Sequence, residues 1–174
     1  IYAMQGKYQP GYVIDETYLI KSKLGEGGMG AVFAVEHVSL KKEYAVKVLS
    51  PQALDTETLR RFSMEGRTIA RMDHPSIVKV HNMGMDRGQA PYYVMDLLTG
   101  KSLADYLDEG LNLSIEETLN IYRQVAEGLD YAHNKGIIHR DIKPSNIMVT
   151  RSGGRLSARI VDFGIAKIRM SSAI

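Results

Sequence analysis

Apolar and polar residues alternate along much of the first hundred positions, in a pattern typical of β-strands. Five runs rich in β-branched and aromatic residues have this pattern, and a helix or a polar, glycine-rich connection separates each from the next. They lie at 18–24, 31–35, 44–49, 77–80 and 92–95. Asp86-Arg87-Gly88, between the last two, is typical of a hairpin turn. The pattern predicts a five-stranded antiparallel sheet.

Apolar residues recur every three or four positions in two longer stretches, which predicts helices. The first follows Asp55, a suitable N-cap, and continues to Met72, where the proline of Asp73-His74-Pro75 ends it. The second opens on the capping box Ser114-Ile115-Glu116-Glu117 and ends before Gly136. Its predicted buried face consists of Leu119, Tyr122, Val125, Ala126, Leu129, Ala132 and His133.

Shorter elements are predicted on either side of the second helix. A short helix at 103–107 precedes it, and two apolar runs at 147–149 and 160–161 follow it, with a turn at Gly153-Gly154 between them. These elements indicate the α+β class, because the sheet lies in the first part of the chain and most of the helix in the second.

Composition narrows the functional classes. The 174 residues are 44% hydrophobic and 24% charged, which is ordinary for a folded domain. A net charge of +2 without a long run of one sign gives no electrostatic support for a nucleic-acid or anionic-membrane partner. The absence of cysteine excludes disulfides, thiolate zinc sites and cysteine nucleophiles, and is compatible with a reducing compartment. No apolar run is long enough to span a bilayer.

A glycine cluster, Gly25-Glu26-Gly27-Gly28-Met29-Gly30, has the G-x-G-x-x-G spacing. The spacing alone is equally typical of a surface turn. A dinucleotide-binding fold is excluded because a strand, not a helix, follows the glycines, and a Walker loop is excluded because no Gly-Lys-Ser/Thr follows. The glycines are therefore predicted at the tip of a β-hairpin, where backbone N–H groups can approach phosphate oxygens.

Lys47 is a single ammonium in an otherwise apolar predicted strand. By itself it could be an edge-strand lysine with its head in water. Glu65, however, interrupts the apolar stripe of the first helix between Phe62 and Ile69, and a core-facing carboxylate is costly unless it is paired. We therefore predict that Lys47 and Glu65 form an ion pair.

Polar residues are densest at 139–146, His139-Arg140-Asp141-Ile142-Lys143-Pro144-Ser145-Asn146, and at Asp162-Phe163-Gly164. Alone, the histidine could be a core residue and either aspartate a turn residue. Together, Asn146 and Asp162 offer oxygen ligands of the kind that Mg²⁺ accepts alongside substrate phosphates.

These motifs, in this order, resemble those of the eukaryotic-type (Hanks-type) serine/threonine protein kinases, and the glycine cluster is most similar to bacterial members. Lys143, two residues after Asp141, is typical of serine/threonine-specific kinases. The resemblance implies a protein-kinase fold: a five-stranded antiparallel N-lobe with one main helix, and a helical C-lobe. It also implies an ATP-dependent enzyme that phosphorylates protein serine or threonine, with Mg²⁺ as cofactor.

The resemblance implies a role for each matching residue. Asp141 would accept the substrate proton, Lys143 would steady the γ-phosphoryl group, and Lys47, oriented by Glu65, would hold the α- and β-phosphates. Asn146 and Asp162 would bind Mg²⁺. The remaining residues would surround the nucleotide: Leu24, Gly25, Gly27, Gly30, Val32, Ala45, Met95, Asp96, Leu98 and Met148.

The resemblance also sets the expected organisation: a linker at 1–17, the N-lobe and hinge at 18–98, and a partial C-lobe at 99–174. Only ten residues follow Gly164, so we expect an incomplete catalytic domain without the activation segment and later helices. The alternative is a non-catalytic nucleotide-binding or interaction module of kinase fold; a small-molecule kinase fits the 139–143 motif less well. We expect a cytoplasmic location, although a longer protein could be membrane-anchored.

Overall fold

A computed structural model of the chain describes residues 7–27, 30–49 and 55–162, without the side chains of Arg61 and Glu65. These residues form two compact units. The first contains the residues up to Ala70 together with Lys79–Leu97. The second contains Arg71–Val78 and the residues from Leu98 onward.

The first unit is built on a six-stranded antiparallel sheet with the strand order β1-β2-β3-β4-β6-β5. The strands are β1 (Val13–Ile14), β2 (Tyr18–Gly27), β3 (Gly30–His37), β4 (Glu43–Leu49), β5 (Val80–Asp86) and β6 (Ala90–Met95). One helix, α1 (Thr56–Ala70), lies between β4 and β5 in the sequence. The predicted five-stranded antiparallel architecture with one main helix is confirmed, with β1 added at one edge.

Side chains of β4 alternate between two buried faces of this sheet. Lys47 lies opposite Tyr93 of β6, and the Tyr93 ring packs 5.1 Å from the Phe62 ring of α1, so α1 covers the face that carries Lys47. The opposite face carries an apolar cluster. Its buried members are Ile14, Tyr18, Ile20, Phe33, Val35, Tyr44, Val46, Val48, Ala90, Tyr92 and Val94.

The segment at residues 7–17, hereafter the strap, is a correction to the sequence analysis, which treats residues 1–17 as a linker. Val13–Ile14 pairs with β2 as strand β1, and Ile14 is fully buried. Tyr8 and Tyr12 pack against the apolar cluster. The glycine and proline of the segment shape its turns, but its aromatic residues bury enough apolar surface to dock it on the sheet.

A second correction concerns the strand expected at 77–80. The observed strand β5 begins at Val80, and Ile77 instead forms a parallel bridge to Ile160. Val78 N–H donates to the Ile160 carbonyl at 3.0 Å, and Ile160 N–H donates to the Ser76 carbonyl at 2.8 Å. The backbone of 76–78 thus belongs to the second unit, and it pairs with a residue more than 80 positions later in the sequence.

The second unit combines helices with a small sheet of order β7-β8-β9. Its elements are β7 (Lys101–Ser102), α2 (Leu103–Asp108), α3 (Ile115–Asn134), a 3₁₀ turn (Pro144–Asn146), β8 (Ile147–Ser152) and β9 (Arg155–Ile160). The predicted capping box of α3 is present: Glu117 N–H donates to Ser114 Oγ, and Ser114 N–H donates to the Glu117 carboxylate. The predicted turn at 153–154 joins β8 to β9.

The predicted buried face of α3 is partly wrong. Val125 and Ala132 are buried, but Leu119 and Tyr122 are more than 60% exposed, and Ala126 and His133 are exposed as well. The observed buried face consists of Ile121, Val125, Gly128 and Ala132. This face packs against β9, where Gln124 donates to the Leu156 carbonyl and accepts from Ala158 N–H, each at 2.9 Å.

Candidate active site

The glycine-rich hairpin joins β2 to β3, with Gly27 paired to Gly30 across its tip. A Cβ at Gly25 or Gly27 would meet no other atom of the described residues within 4 Å. A Cβ at Gly30, in contrast, would overlap the backbone carbonyl of Val48 in β4. The first two glycines therefore leave open space beside their backbone, whereas the third allows β3 and β4 to approach.

Lys47 lies on the α1-facing side of the sheet with several other predicted site residues. It is opposite Val32 in β3, while Ala45 is opposite Met95 in β6, so the four side chains share one face. Lys47 is 8% exposed, and its Nζ lies 5.8 Å from the centre of the Tyr93 ring. Leu24, on β2, is largely exposed.

The partner predicted for Lys47, Glu65, lies on α1, but its side chain is outside the described residues. Their ion pair stays a prediction.

The residues that follow Met95 connect the two units along the chain. Asp96 N–H donates to the Lys79 carbonyl at 3.0 Å, and the Asp96 carboxylate lies 2.6 Å from His81 Nε2. Because its N–H is used inside the first unit, any backbone bond from Asp96 to a base would come from its carbonyl. Leu98, the other residue predicted to contact the base, is half-buried in the second unit.

Two of the predicted catalytic residues, Asp141 and Lys143, and the predicted metal-binding residue Asn146 meet in the second unit. Lys143 Nζ lies 3.0 Å from Asp141 Oδ2. Asn146, on the 3₁₀ turn, donates through Nδ2 to the Asp141 carbonyl at 2.9 Å and lies 3.4 Å from its Oδ2. Pro144 at the start of this turn fixes the backbone there. The segment 141–146 thus places an ammonium and an amide each within hydrogen-bond distance of Asp141.

His139 is a buried residue that contacts the backbone of this cluster. It is 2% exposed, and its Nδ1 accepts a hydrogen bond from Asp141 N–H at 3.2 Å. Burial lowers the pKa of His139, against the opposing effects of a hydrogen bond with the Val161 backbone and of the charges of Asp141 and Asp162. The neutral imidazole therefore orients the backbone at Asp141.

The backbone is in the left-handed region at both Arg140 (φ 64°) and Asp162 (φ 59°). Such conformations cost non-glycine residues about 1–3 kcal/mol each and persist where the surrounding structure fixes them. One such contact is the 2.9 Å hydrogen bond from Val161 N–H to the Asn146 carbonyl, which ties Asp162 to the 3₁₀ turn. Phe163 and Gly164 lie outside the described residues.

The donor set of Asn146 and Asp162 suits Mg²⁺. Asn146 uses Nδ2 to donate to Asp141, which leaves the amide oxygen as its acceptor. Among the described residues there is no cluster of three or more His, Asp or Glu side chains that could hold a metal ion by themselves. Mg²⁺ typically takes one or two protein ligands and completes its shell with phosphate and water, and these two residues match that use.

Known protein families include one that this chain matches over most of its length. The family model of the protein kinase domain matches residues 18–173. The chain belongs to the protein kinase domain family.

Bacterial serine/threonine kinases are among its relatives. It is 38% identical to the serine/threonine-protein kinase Pkn2 of Myxococcus xanthus over 90% of this chain and 19% of that protein. It is 36% identical to the serine/threonine-protein kinase PrkC of Bacillus subtilis over 92% of this chain and 24% of that protein. The chain thus spans about a fifth to a quarter of the length of these curated relatives.

A solved structure with the same fold is the kinase domain of Mycobacterium tuberculosis PknI. It aligns with a TM-score of 0.75 and 36% identity, covering 90% of this chain and 63% of the solved one. The protein-kinase fold expected from the sequence is confirmed. No helix in the described ranges is both long and apolar enough to cross a membrane.

Sequence reasoning missed one polar residue of note. Asp86 is fully buried, although the sequence suggests only the start of a turn there. Its partners lie in the strap, more than 70 residues earlier in the chain, so no local pattern could have revealed its burial.

Proposed function

We propose that the protein is an ATP-dependent serine/threonine protein kinase that transfers the γ-phosphoryl group of ATP to a Ser or Thr hydroxyl of a protein substrate. The observation that carries the proposal is the cluster of Asp141, Lys143 and Asn146 within the segment 141–146. The kinship with bacterial serine/threonine kinases supports it.

In this proposal Asp141 accepts the proton of the substrate hydroxyl, and Lys143 neutralises charge on the transferred group. General-base assistance of this kind contributes about 10²–10⁴-fold to a rate. The 3.0 Å contact between Lys143 Nζ and Asp141 Oδ2 supports the proposal, because it places the ammonium beside the residue that would contact the substrate hydroxyl.

The residues that match the family's nucleotide-binding positions each have a proposed contact. Lys47 would contact the α- and β-phosphates, and the open backbone at Gly25 and Gly27 would admit phosphate oxygens to N–H groups. The low exposure of Lys47 supports this role, since an ammonium interacts more strongly with an anion when water is largely excluded. The adenine would lie among the apolar residues named above, Leu24, Val32, Ala45, Met95 and Met148, with backbone bonds from Asp96 and Leu98.

Mg²⁺ would be held by Asn146 and Asp162 together with the phosphates. When bound, it supplies charge neutralisation for phosphoryl transfer. The chain's own residues position the reactants, which is the main protein contribution to this reaction class. Because ATP is the phosphoryl donor, we propose that the reaction takes place in the cytoplasm.

The test is transfer of label from γ-labelled ATP by the intact protein to a generic basic protein, followed by phosphoamino-acid analysis. We expect label on serine and threonine only, and only with Mg²⁺. Label on tyrosine, or on a small-molecule acceptor instead of protein, would contradict the proposal. Binding of Mg·ATP without any transfer would favour the alternative, a non-catalytic module of kinase fold.

A further inference from the structure

The carboxylate of Asp86 is fully buried at the end of β5. It accepts hydrogen bonds from Lys7 Nζ (2.9 Å), Tyr8 OH (2.8 Å), Tyr12 OH (2.9 Å) and Asp15 N–H (2.9 Å). All four donors belong to the strap. One side chain of the sheet therefore accepts from four donors of the strap. The strap also pairs with β2 through strand β1 and through backbone hydrogen bonds of Gly11 (2.9 Å) and Tyr12 (2.8 Å) with Ile20.

Electrostatics indicates that this carboxylate is ionised. Burial alone would raise its pKa, but the hydrogen bonds from the strap outweigh burial and lower the pKa of Asp86 below its ordinary value. Hydrogen bonds to a charged acceptor contribute more than neutral ones, and removing the acceptor would leave these four partly buried donors without it. Four of the hydrogen bonds that attach the strap to the sheet thus share one acceptor residue.

A second contact fixes the end of the strap. Tyr92 OH, from β6, donates to the Asp15 carboxylate at 2.6 Å. Asp15 and Glu16 both have left-handed backbones, with φ of 48° and 52°. The contacts of Asp15 with Asp86 and Tyr92 hold this unfavourable turn in place.

The strap in turn supports the strand that carries the glycine-rich hairpin. The Tyr8 ring lies 6.0 Å from the Phe33 ring of β3, and Ala31 packs on the same apolar cluster as Tyr8 and Tyr12. Because side chains alternate along β3, Val32 lies between these two contacts on the opposite, Lys47-bearing face. The strap therefore contacts β3 at Phe33, three residues after Gly30, on the face opposite Lys47.

We propose that Asp86 is a positioning residue for nucleotide binding. Asp86 anchors the strap on the sheet face opposite Lys47, where the strap contacts β3. The anchored strap holds the β2–β3 hairpin, and with it Gly25 and Gly27, in the conformation that admits the phosphates of ATP. This inference rests on the proposed function. It assigns a nucleotide-linked role to a residue on the sheet face opposite Lys47.

The test compares the intact wild-type protein with Asp86→Asn, in which an amide group replaces one acceptor oxygen. We expect the affinity for Mg·ATP to fall at least about fivefold, the lower range of coupling between separate sites. Hydrogen exchange should accelerate at amides of the β2–β3 hairpin but not in β8 and β9. Glu36→Gln is the matched control, since Glu36 is on the same hairpin and makes only peripheral pairs with Lys21 and Lys41 (3.8 and 3.5 Å).

Tyr12→Phe provides a second variant, because it keeps the ring and removes a single donor to Asp86. It should change affinity and exchange in the same direction by a smaller amount, and it carries the test if Asp86→Asn does not fold. Unchanged hairpin exchange and affinity, or an equal loss of protection in both units, would overturn the inference. If the wild type binds no Mg·ATP, the proposed function fails. Faster exchange in Asp86→Asn, confined to the β2–β3 hairpin, would still show that Asp86 and the strap stabilise the hairpin.

Discussion

At the scale of single residues, the three glycines of the hairpin have different physical requirements. Gly30 is needed by the fold, because β3 and β4 approach so closely there that any side chain meets the Val48 carbonyl. Gly25 and Gly27 have no such neighbour. Their lack of a side chain matters only if something outside the chain approaches the backbone, as a nucleotide would.

Replacement of these glycines separates the two roles. We expect Gly30→Ala to lower the free energy of unfolding by about 1–3 kcal/mol, as for overpacked sites generally. Gly27→Ala should change it by less than about 0.5 kcal/mol while weakening Mg·ATP binding. Denaturant unfolding and nucleotide titration of both variants measure this. Equal destabilisation by the two substitutions would contradict the assignment.

At the scale of elements, α3 carries apolar residues on two sides. Ile121 is 2% exposed and packs towards β9, whereas Leu119, two positions away, is 62% exposed. Both stripes have helical spacing, so periodicity alone could not identify the buried one. Which stripe is buried depends on contacts with β9. The backbone of β9 provides both a donor and an acceptor for Gln124.

This difference predicts unequal effects of truncation along one helix. Ile121→Ala removes buried methyl groups and leaves a cavity, so it should cost about 2–5 kcal/mol of stability. Leu119→Ala makes a similar change on the exposed side and should cost less than about 0.5 kcal/mol. Thermal or urea unfolding of the two variants provides the comparison. A larger loss for Leu119→Ala would mean that the buried face is wrongly assigned.

Element ends were predictable where the signal is local. Ser114 caps α3 by accepting from Glu117 N–H, three residues later. Asp55 caps α1 in the same way, accepting from Thr58 N–H at 2.9 Å. The strap and the segment at 76–78 were not predictable in this way. Their partners, Asp86 and Ile160, are more than 70 residues away in sequence.

At the scale of the whole molecule, much of the candidate site could be located from the sequence because its residues fall in short motifs. Asp141, Lys143 and Asn146 lie within six positions, and the turn brings them together. The pairing of Lys47 with Glu65 depends instead on how α1 meets β4, and it stays a prediction. The contribution of the strap could be seen only once the sheet was assembled.

The most direct test of the central claim, that the turn at Asp141 carries phosphoryl transfer, is a paired measurement on Asp141→Asn in the intact protein. Phosphorylation of a basic protein and affinity for Mg·ATP are measured on the same preparation. We expect transfer to fall by about 10²–10⁴-fold, because the substrate hydroxyl loses its general base, while affinity changes little. Transfer at the wild-type rate by a folded Asp141→Asn protein would contradict the account.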